Sequence, residues 1–503
     1  MKKRLFLVFS VLTMVALFLT ACAGESGKMG MRDFYNDSTP FFTTEENRNN
    51  FTAIQENPFI DTATTTSSYF SIDANTASYP ILRRYITEGR VIPKDAVRIE
   101  EMLNYFSYDY AEPSDGDILS LNASLFDTPY NSQTKLLTIG LAAQKVEFKE
   151  QNNNVVFLID TSGSMYGSDR LGLIQTAFKL FTESLNENDR VSIVTYAGSD
   201  SVLLEGVKGS EKEKIISAIS GLEAGGSTAG AAGISRAYEL ADQYFIQGGN
   251  NRVILATDGD FNVGISDTEQ LKELIKEKAK SGVYFSVFGV GYGNYQGEKM
   301  EALALNGNGT YSYLDSVSEA KRALVEEIGG TMLTVAKDVK AGVTFNADYV
   351  ESFRLLGYEN KQMTQEEFEN SQKDAGELGS GHTVTVTYEL KMKDRPLAAG
   401  EKIGTVDIRY KPTENSATTS TEENLTLKLD IGTECYHSAM SDNDKFVSSV
   451  VEFALLLRDS EYKADANIDE VINRLSLYQT SDKEKTNFIE LVKKYKNNYE
   501  VKQ

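Results

Sequence analysis

A chain of 503 residues exceeds what one hydrophobic core organises, so it divides into two to four domains. With 41% hydrophobic and 10% aromatic residues it has the apolar material for real cores, which excludes a disorder-dominated chain. A formal charge of −22 repels nucleic acid and anionic lipid headgroups, leaving proteins, cations or neutral polymers as partners.

Residues 1–22, "MKKRLFLVFSVLTMVALFLTAC", have a basic start, an apolar run and small residues before Cys22, the pattern of a secretory signal. The apolar stretch is short for a membrane span, which argues against an uncleaved anchor; a plain signal-peptidase site is the other competing reading. The ending "LTAC" resembles a bacterial lipobox, in which the cysteine is lipidated and becomes the mature N-terminus. The expectation is a chain lipid-anchored at Cys22 on the extracytoplasmic face of the cell membrane. Loss of Lys2, Lys3 and Arg4 with this segment takes the charge from −22 to −25. Cys435 is the other cysteine, so the mature chain has no intramolecular disulfide, and Cys435 reads as a small buried hydrophobe.

From 23 to 68 the chain is rich in Asn, Thr, Ser, Gly and Glu without periodicity, the composition of a flexible tether. A module over 69–150 follows. Ile81, Leu82, Tyr85 and Ile86, then Val97, Ile99, Met102, Leu103 and Phe106, recur at helical spacing around the break "RVIPKD". "ILSLNASLFDT" and "KLLTIGLAAQKVEF" then alternate as half-buried strands do.

Over 153–335 strands and helices take turns. "VVFLI", "VSIVTY", "RVILAT" and "VYFSVFGVG" are short, β-branched and unalternated, as parallel strands buried on both faces are. Amphipathic segments such as "RLGLIQTAFKLFTESL" lie between them, which predicts a doubly wound α/β domain with a mostly parallel sheet. Alternation returns over 336–433 ("HTVTVTYELKM", "KIGTVDIRYKP", "NLTLKLDIG"), a β-rich module. Residues 434–503 read as helices, with Phe446, Val450, Val451, Phe453, Ala454 and Leu457 on a core face.

In a doubly wound sheet, ligands sit at the carboxyl ends of the strands near the reversal of strand order. Asp160 ends "VVFLID" and Asp258 ends "RVILATD", so two carboxylates reach one rim. Ser162, Ser164 and Thr228, the last from "EAGGSTAG", add hydroxyls. Oxygen donors without histidine or thiolate suit a hard divalent cation, and two carboxylates with retained water favour Mg²⁺ or Mn²⁺ over a calcium cage. Ser162, Ser164 and Asp169 could instead cap the following helix. "DGDFNVGISDTE" spaces its oxygens like an EF-hand loop but puts Val263 at the glycine position and follows a strand, although Asp260 could support the rim. "FGVGYGNYQG" lacks dinucleotide-binding spacing. His382 and His437 both fall outside the α/β segment, so no Ser-His-Asp arrangement forms at the rim and the chain is not expected to be an enzyme.

"DTSGSM", "GGSTAG" and "ATDGD" together resemble the metal-ion-dependent adhesion site of the von Willebrand factor A domain. The resemblance implies direct cation contacts from Ser162 and Ser164, a further oxygen from Thr228, and Asp160 and Asp258 acting directly or through water. It also implies that an acidic side chain of a protein partner completes the coordination. The flanks "FSIDANTASY…VRIEEMLNYF" and "FRLLGYEN…KDAGELGSGHTVTVTYEL" resemble modules of bacterial lipoproteins that carry this domain. The expected function is metal-bridged binding of a protein ligand at the cell envelope, the alternative being an envelope scaffold in which the cation is only structural. By analogy, "SEAKRALVEEIGGTMLTV" would transmit occupancy of the rim to the β-rich module.

Overall fold

The computed structural model describes residue 49 and residues 51–499, apart from 73, 115, 147–151, 198–199, 227–229, 260–267, 294–295, 327–332, 414–415 and 417–423. Cys22, Thr228 and Asp260 therefore lie outside the described residues, with the signal segment and most of the tether. None of the described helices is long and apolar enough to cross a membrane.

The apolar runs of 153–335 form a six-stranded sheet ordered Tyr311–Tyr313, Val283–Gly289, Asn250–Thr257, Asn153–Asp160, Arg190–Tyr196, Asp200–Lys208. Neighbours pair in parallel up to Arg190–Tyr196, and the edge strand Asp200–Lys208 runs antiparallel. Every residue of Asn250–Thr257 is buried, which is why its sequence does not alternate. Along Asn153–Asp160, successive side chains enter opposite cores. Val155, Phe157 and Ile159 meet helices Leu171–Ser184 and Lys212–Ser220; Val156 and Leu158 meet Gly230–Gln243 and Gly297–Asn306. Phe157 stacks on Phe178 with ring centroids 4.0 Å apart. Strand Asn153–Asp160 has Arg190–Tyr196 on one side and Asn250–Thr257 on the other, so the order turns around there and a crevice opens at Asp160.

A β-sandwich is built from both flanks of the α/β segment. One antiparallel sheet runs Ile60–Asp61, Val350–Leu356, Thr383–Met392, Lys135–Ala143, Leu119–Asp127. The other runs Gly376–Gly379, Thr334–Phe345, Lys402–Pro412, Leu425–Gly432, with Ser67–Ser71 also paired to Thr334–Phe345. Their inner faces share one core containing Phe70, Leu137, Phe353, Val343 and Val406. Ordered chain thus begins before Tyr69. Asn57 donates to the carbonyls of Leu355 and Gly357 at 3.0 and 2.9 Å, and the Thr62 hydroxyl to Val350 at 2.7 Å, so part of the Thr- and Ser-rich stretch serves as sheet edge. Lys135–Ala143, expected to be half buried, is buried at every position after Lys135. It lies inside its sheet, with Leu137, Ile139 and Leu141 in the sandwich core and Leu136 against helices on the other face.

Those helices also come from both ends of the chain: Ser78–Glu88 and Ile99–Asn104 pack with Asp442–Arg458, Ile468–Ser476 and Lys483–Tyr499. Phe106 meets Phe446 and Phe488 edge to face at 4.9 and 5.4 Å. Ser441 and Asp444 form a reciprocal capping box that starts Asp442–Arg458. The helical unit docks on the α/β domain through Arg83, whose guanidinium grips Asp315 at 2.6 and 2.7 Å and Glu319 at 2.7 Å. Glu319 also accepts from the Tyr105 hydroxyl and pairs with Arg322. Burial opposes its charge, yet Arg322 and Arg83 hold its carboxyl below the usual range. Glu319 lies in the short helix Val317–Lys321, which continues as a wider turn over Arg322–Glu326.

Glu100 is a second buried carboxyl at a junction. It is 1% exposed, lies against Gly357, and neither of its side-chain oxygens has a hydrogen-bond partner among the described residues. Burial first, then the neighbouring Glu359, push its pKa up to about 7, with Arg98 and Arg458 opposing. A carboxyl raised on folding stabilises fully below its unfolded pKa and loses that contribution as pH rises through the folded value, here between about 4.5 and 7. Glu100→Gln should therefore match the parent in urea unfolding at about pH 4 and exceed it by on the order of 1–3 kcal/mol at about pH 8. An equal difference at both pH values would contradict this.

Candidate metal centre

Asp160 ends the central strand with no exposed surface, and the loop after it folds back on its carboxylate. The Ser162 amide donates to Asp160 Oδ1 at 2.9 Å, an Asx-type turn that brings the serines to the rim. Ser162 Oγ and Ser164 Oγ lie 3.0 Å apart, with Ser162 buried and Ser164 half-buried. Asp258 follows the adjacent strand and is 2% exposed. Thr257 ties the strands together: its hydroxyl donates to Asp160 Oδ2 at 2.9 Å and accepts from the Gly259 amide at 3.1 Å.

Backbone hydrogen bonds hold the loop leading to Thr228 against the serine loop. Gly225 N–H donates to the Thr161 carbonyl at 2.7 Å, and Gly163 N–H to the Gly226 carbonyl at 3.1 Å. Gly226 has φ +87°, and a Cβ there would lie 3.3 Å from the Ala197 carbonyl oxygen. Glycine thus supplies the left-handed conformation at 226 and fits close against the residue that follows strand Arg190–Tyr196. The structure brings Asp160, Ser162, Ser164 and Asp258 to one rim; Thr228 follows two residues after Gly226, outside the described residues.

Burial is the main cause that pushes the Asp160 pKa up to about 6; the Asp258 charge adds to it, and hydrogen bonds from Ser162 and Thr257 oppose it. Among the described residues, what satisfies Asp160 is an amide and hydroxyl groups. Tyr196, fully buried on the neighbouring strand, has its phenol pushed well up by burial and by Asp160. Two buried carboxylates and two neutral hydroxyls are hard oxygen donors whose charge a divalent cation would offset, so the residues present fit Mg²⁺ or Mn²⁺. No group of three or more His, Cys, Asp or Glu side chains that could hold a metal occurs among the described residues, so there is no thiolate or imidazole cage.

Helix capping does not account for these side chains. Helix Leu171–Ser184 begins without a side-chain cap, and Asp169 pairs with Arg84 at 2.6 Å. Ser162 precedes the short turn Gly163–Met165, again without a side-chain cap. The glycine-rich "FGVGYGNYQG" supplies a tight loop whose Tyr292 carbonyl accepts from Arg170 at 2.5 Å. His382 precedes sandwich strand Thr383–Met392, and burial pushes its pKa down to about 4. His437 donates its amide to Leu125 in the sandwich. Cys435 is partly buried against the sandwich core, which pushes its thiol pKa up. Thr257 escaped the motif reading, although its place just before Asp258 at a strand end was the available signal.

The family model for the von Willebrand factor type A domain matches residues 154–328, and one described as von Willebrand factor matches 45–138. The model described as "Uncharacterized protein YfbK, C-terminal" matches 330–497. YfbK of Escherichia coli strain K12 is 39% identical over 435 residues, spanning 81% of this chain and 74% of that protein. The chain belongs to the YfbK family. The inter-alpha-trypsin inhibitor heavy chain H3 of Homo sapiens is 26% identical over 269 residues, 50% of this chain and 30% of that protein. Among solved structures, a von Willebrand factor type A protein from Catenulispora acidiphila is 14% identical with a TM-score of 0.39, covering 73% of this chain and 84% of that one. The α/β unit of this YfbK-family chain is thus a von Willebrand factor A domain, a module that commonly mediates protein–protein interaction.

Thr257 orients Asp160, so its loss should loosen any divalent ion held at the rim. Calorimetry with Mg²⁺ should show about tenfold or greater weakening for Thr257→Val and near-parental affinity for Thr257→Ser. Parental affinity in the valine variant would remove Thr257 from this role.

Proposed function

We propose that this chain is a lipid-anchored protein on the extracytoplasmic face of the cell membrane that binds a protein ligand through Mg²⁺ or Mn²⁺. The cation is held by Asp160, Ser162, Ser164, Thr228 and Asp258, and Cys22 carries the lipid. One observation bears most of the weight: two serine hydroxyls 3.0 Å apart stand beside a buried aspartate whose neighbouring strand brings a second buried carboxylate to the same rim. When bound, the cation supplies a compact positive charge able to accept an acidic side chain of the partner. Neutral serine donors leave more of that charge available than further carboxylates would. On a chain of charge −22, such a point lets an acidic ligand approach at all.

The scaffold reading, in which the cation only stiffens the loops, has less support. Gly225, Gly226, Thr161 and Gly163 already join the loops through backbone hydrogen bonds that need no ion.

Calorimetry on the signal-processed chain should detect Mg²⁺ binding that Asp160→Ala abolishes while the thermal unfolding transition is retained. Equal binding in the variant would remove the metal assignment. The anchor is separately testable: in cell fractionation the parental chain should sediment with membranes and Cys22→Ser should not, with a lipid mass increment on the N-terminal peptide of the parent alone. A soluble parent lacking that increment would rule out lipidation.

A further inference from the structure

The rim is extended by residues from outside the α/β domain. Tyr166, one residue past the Gly163–Met165 turn, is 80% exposed. Four residues later Arg170 donates to the Tyr292 carbonyl at 2.5 Å, placing the loop after Val283–Gly289 beside the serine loop. The Tyr292 ring is then covered from the N-terminal helix. Arg90 lies over it at 3.9 Å, and Tyr85 packs against it at 5.4 Å. Arg84 of the same helix pairs with Asp169 at 2.6 Å and donates to the Tyr313 hydroxyl at 3.0 Å.

The turn that ends this helix projects Val91. Gly89 at φ +66° closes the helix with its amide on Ile86, and the Arg90 amide returns to Tyr85 at 3.0 Å. These two bonds take up the last carbonyls of the helix and end it at Gly89. Val91 is 87% exposed, and the Tyr499 hydroxyl fastens the Arg90 carbonyl, so the turn is braced from behind. Val91 and Tyr166 have the greatest exposure of any large apolar side chains among the described residues. Arg170, four residues after Tyr166, and Arg90, one residue before Val91, both meet Tyr292. There Arg84, Arg90 and Arg170 stand against Glu88 and Asp169, so arginines border the rim on a strongly acidic molecule.

We infer that the metal rim and the turn at Gly89–Val91 form one recognition face for an acidic protein segment, with Tyr166 and Val91 contacting apolar side chains that flank its carboxylate. This rests on the cation-binding reading above. It further assigns the helical unit a part in choosing the partner: the cation, bordered by the arginines, takes the acidic group, and the two exposed apolar side chains reject segments that are acidic throughout.

The test uses the signal-processed chain and a phage-displayed library of random twelve-residue peptides, selected with Mg²⁺. The parental chain should enrich sequences with an Asp or Glu flanked by apolar residues. Val91→Asp and Tyr166→Ala should each weaken binding of those peptides at least tenfold, with Mg²⁺ calorimetry and thermal unfolding unchanged. Asp160→Ala should lose both the ion and the peptides. Peptides that bind both surface variants as tightly as the parent, or enrichment without an acidic residue, would overturn the composite face while leaving the cation site standing. A concentration-dependent dimer that Val91→Asp dissociates would also overturn it, assigning the face to a second copy. Absence of Mg²⁺ binding by the parent would fail the underlying site instead.

Discussion

The strand Asn153–Asp160 carries the arrangement on which the rest depends, because it is paired in parallel on both sides while the strand order turns around at it. Parallel neighbours whose crossovers leave toward opposite edges cannot close over its carboxyl end, so the chain must leave the sheet in an open crevice. Asp160 stands at that exit and organises it. One of its oxygens folds the serine loop back through the Ser162 amide, and the other takes the Thr257 hydroxyl from the neighbouring strand. Burying a carboxylate without a cationic partner is unfavourable, and the raised Asp160 pKa expresses that cost.

The flanking segments are interleaved in space. Lys135–Ala143, before the α/β domain, pairs with Thr383–Met392, after it, and Phe106 interlocks with Phe446 and Phe488. Both sandwich and helical unit therefore require residues from each side of the α/β domain, which sits as an insertion between two halves of one support. That support meets the domain through buried charge: Arg83, Asp315, Glu319 and Arg322 lie where removing one partner would leave another uncompensated. The interface thereby fixes orientation strongly. It also includes the short helix after Tyr311–Tyr313, so the helical unit holds an element of the very domain that carries the rim.

Much of this was legible in the chain. Unalternated β-branched runs are the signature of strands buried on both faces, and the placement of Asp160 and Asp258 after two such runs followed from that pattern. That Ser162 and Ser164 stand together after the same strand was equally legible, because two residues separated by one glycine in a turn bring their hydroxyls side by side. Alternation misread Lys135–Ala143, since a strand facing a sandwich core on one side and helices on the other is buried whatever its small and polar residues suggest. The Thr- and Ser-rich stretch before Tyr69 looked like spacer because edge strands need few apolar residues when their backbone does the pairing.

The sequence by itself determined the element types, the apolar periodicities and which hydroxyl and carboxyl side chains follow the strands, because these depend on local chemistry and spacing. Tertiary structure decided which segments share a core, that Thr257 bridges the two strands at Asp160, and that Arg84 takes Asp169 from any capping role. It also decided that the helix Ser78–Glu88 and its closing turn meet the α/β domain, through Arg84 on Asp169 and Arg90 over the Tyr292 ring. The reason is physical: pairing across hundreds of residues, and the burial of a charge between them, are settled by which surfaces meet, and no local pattern encodes that meeting.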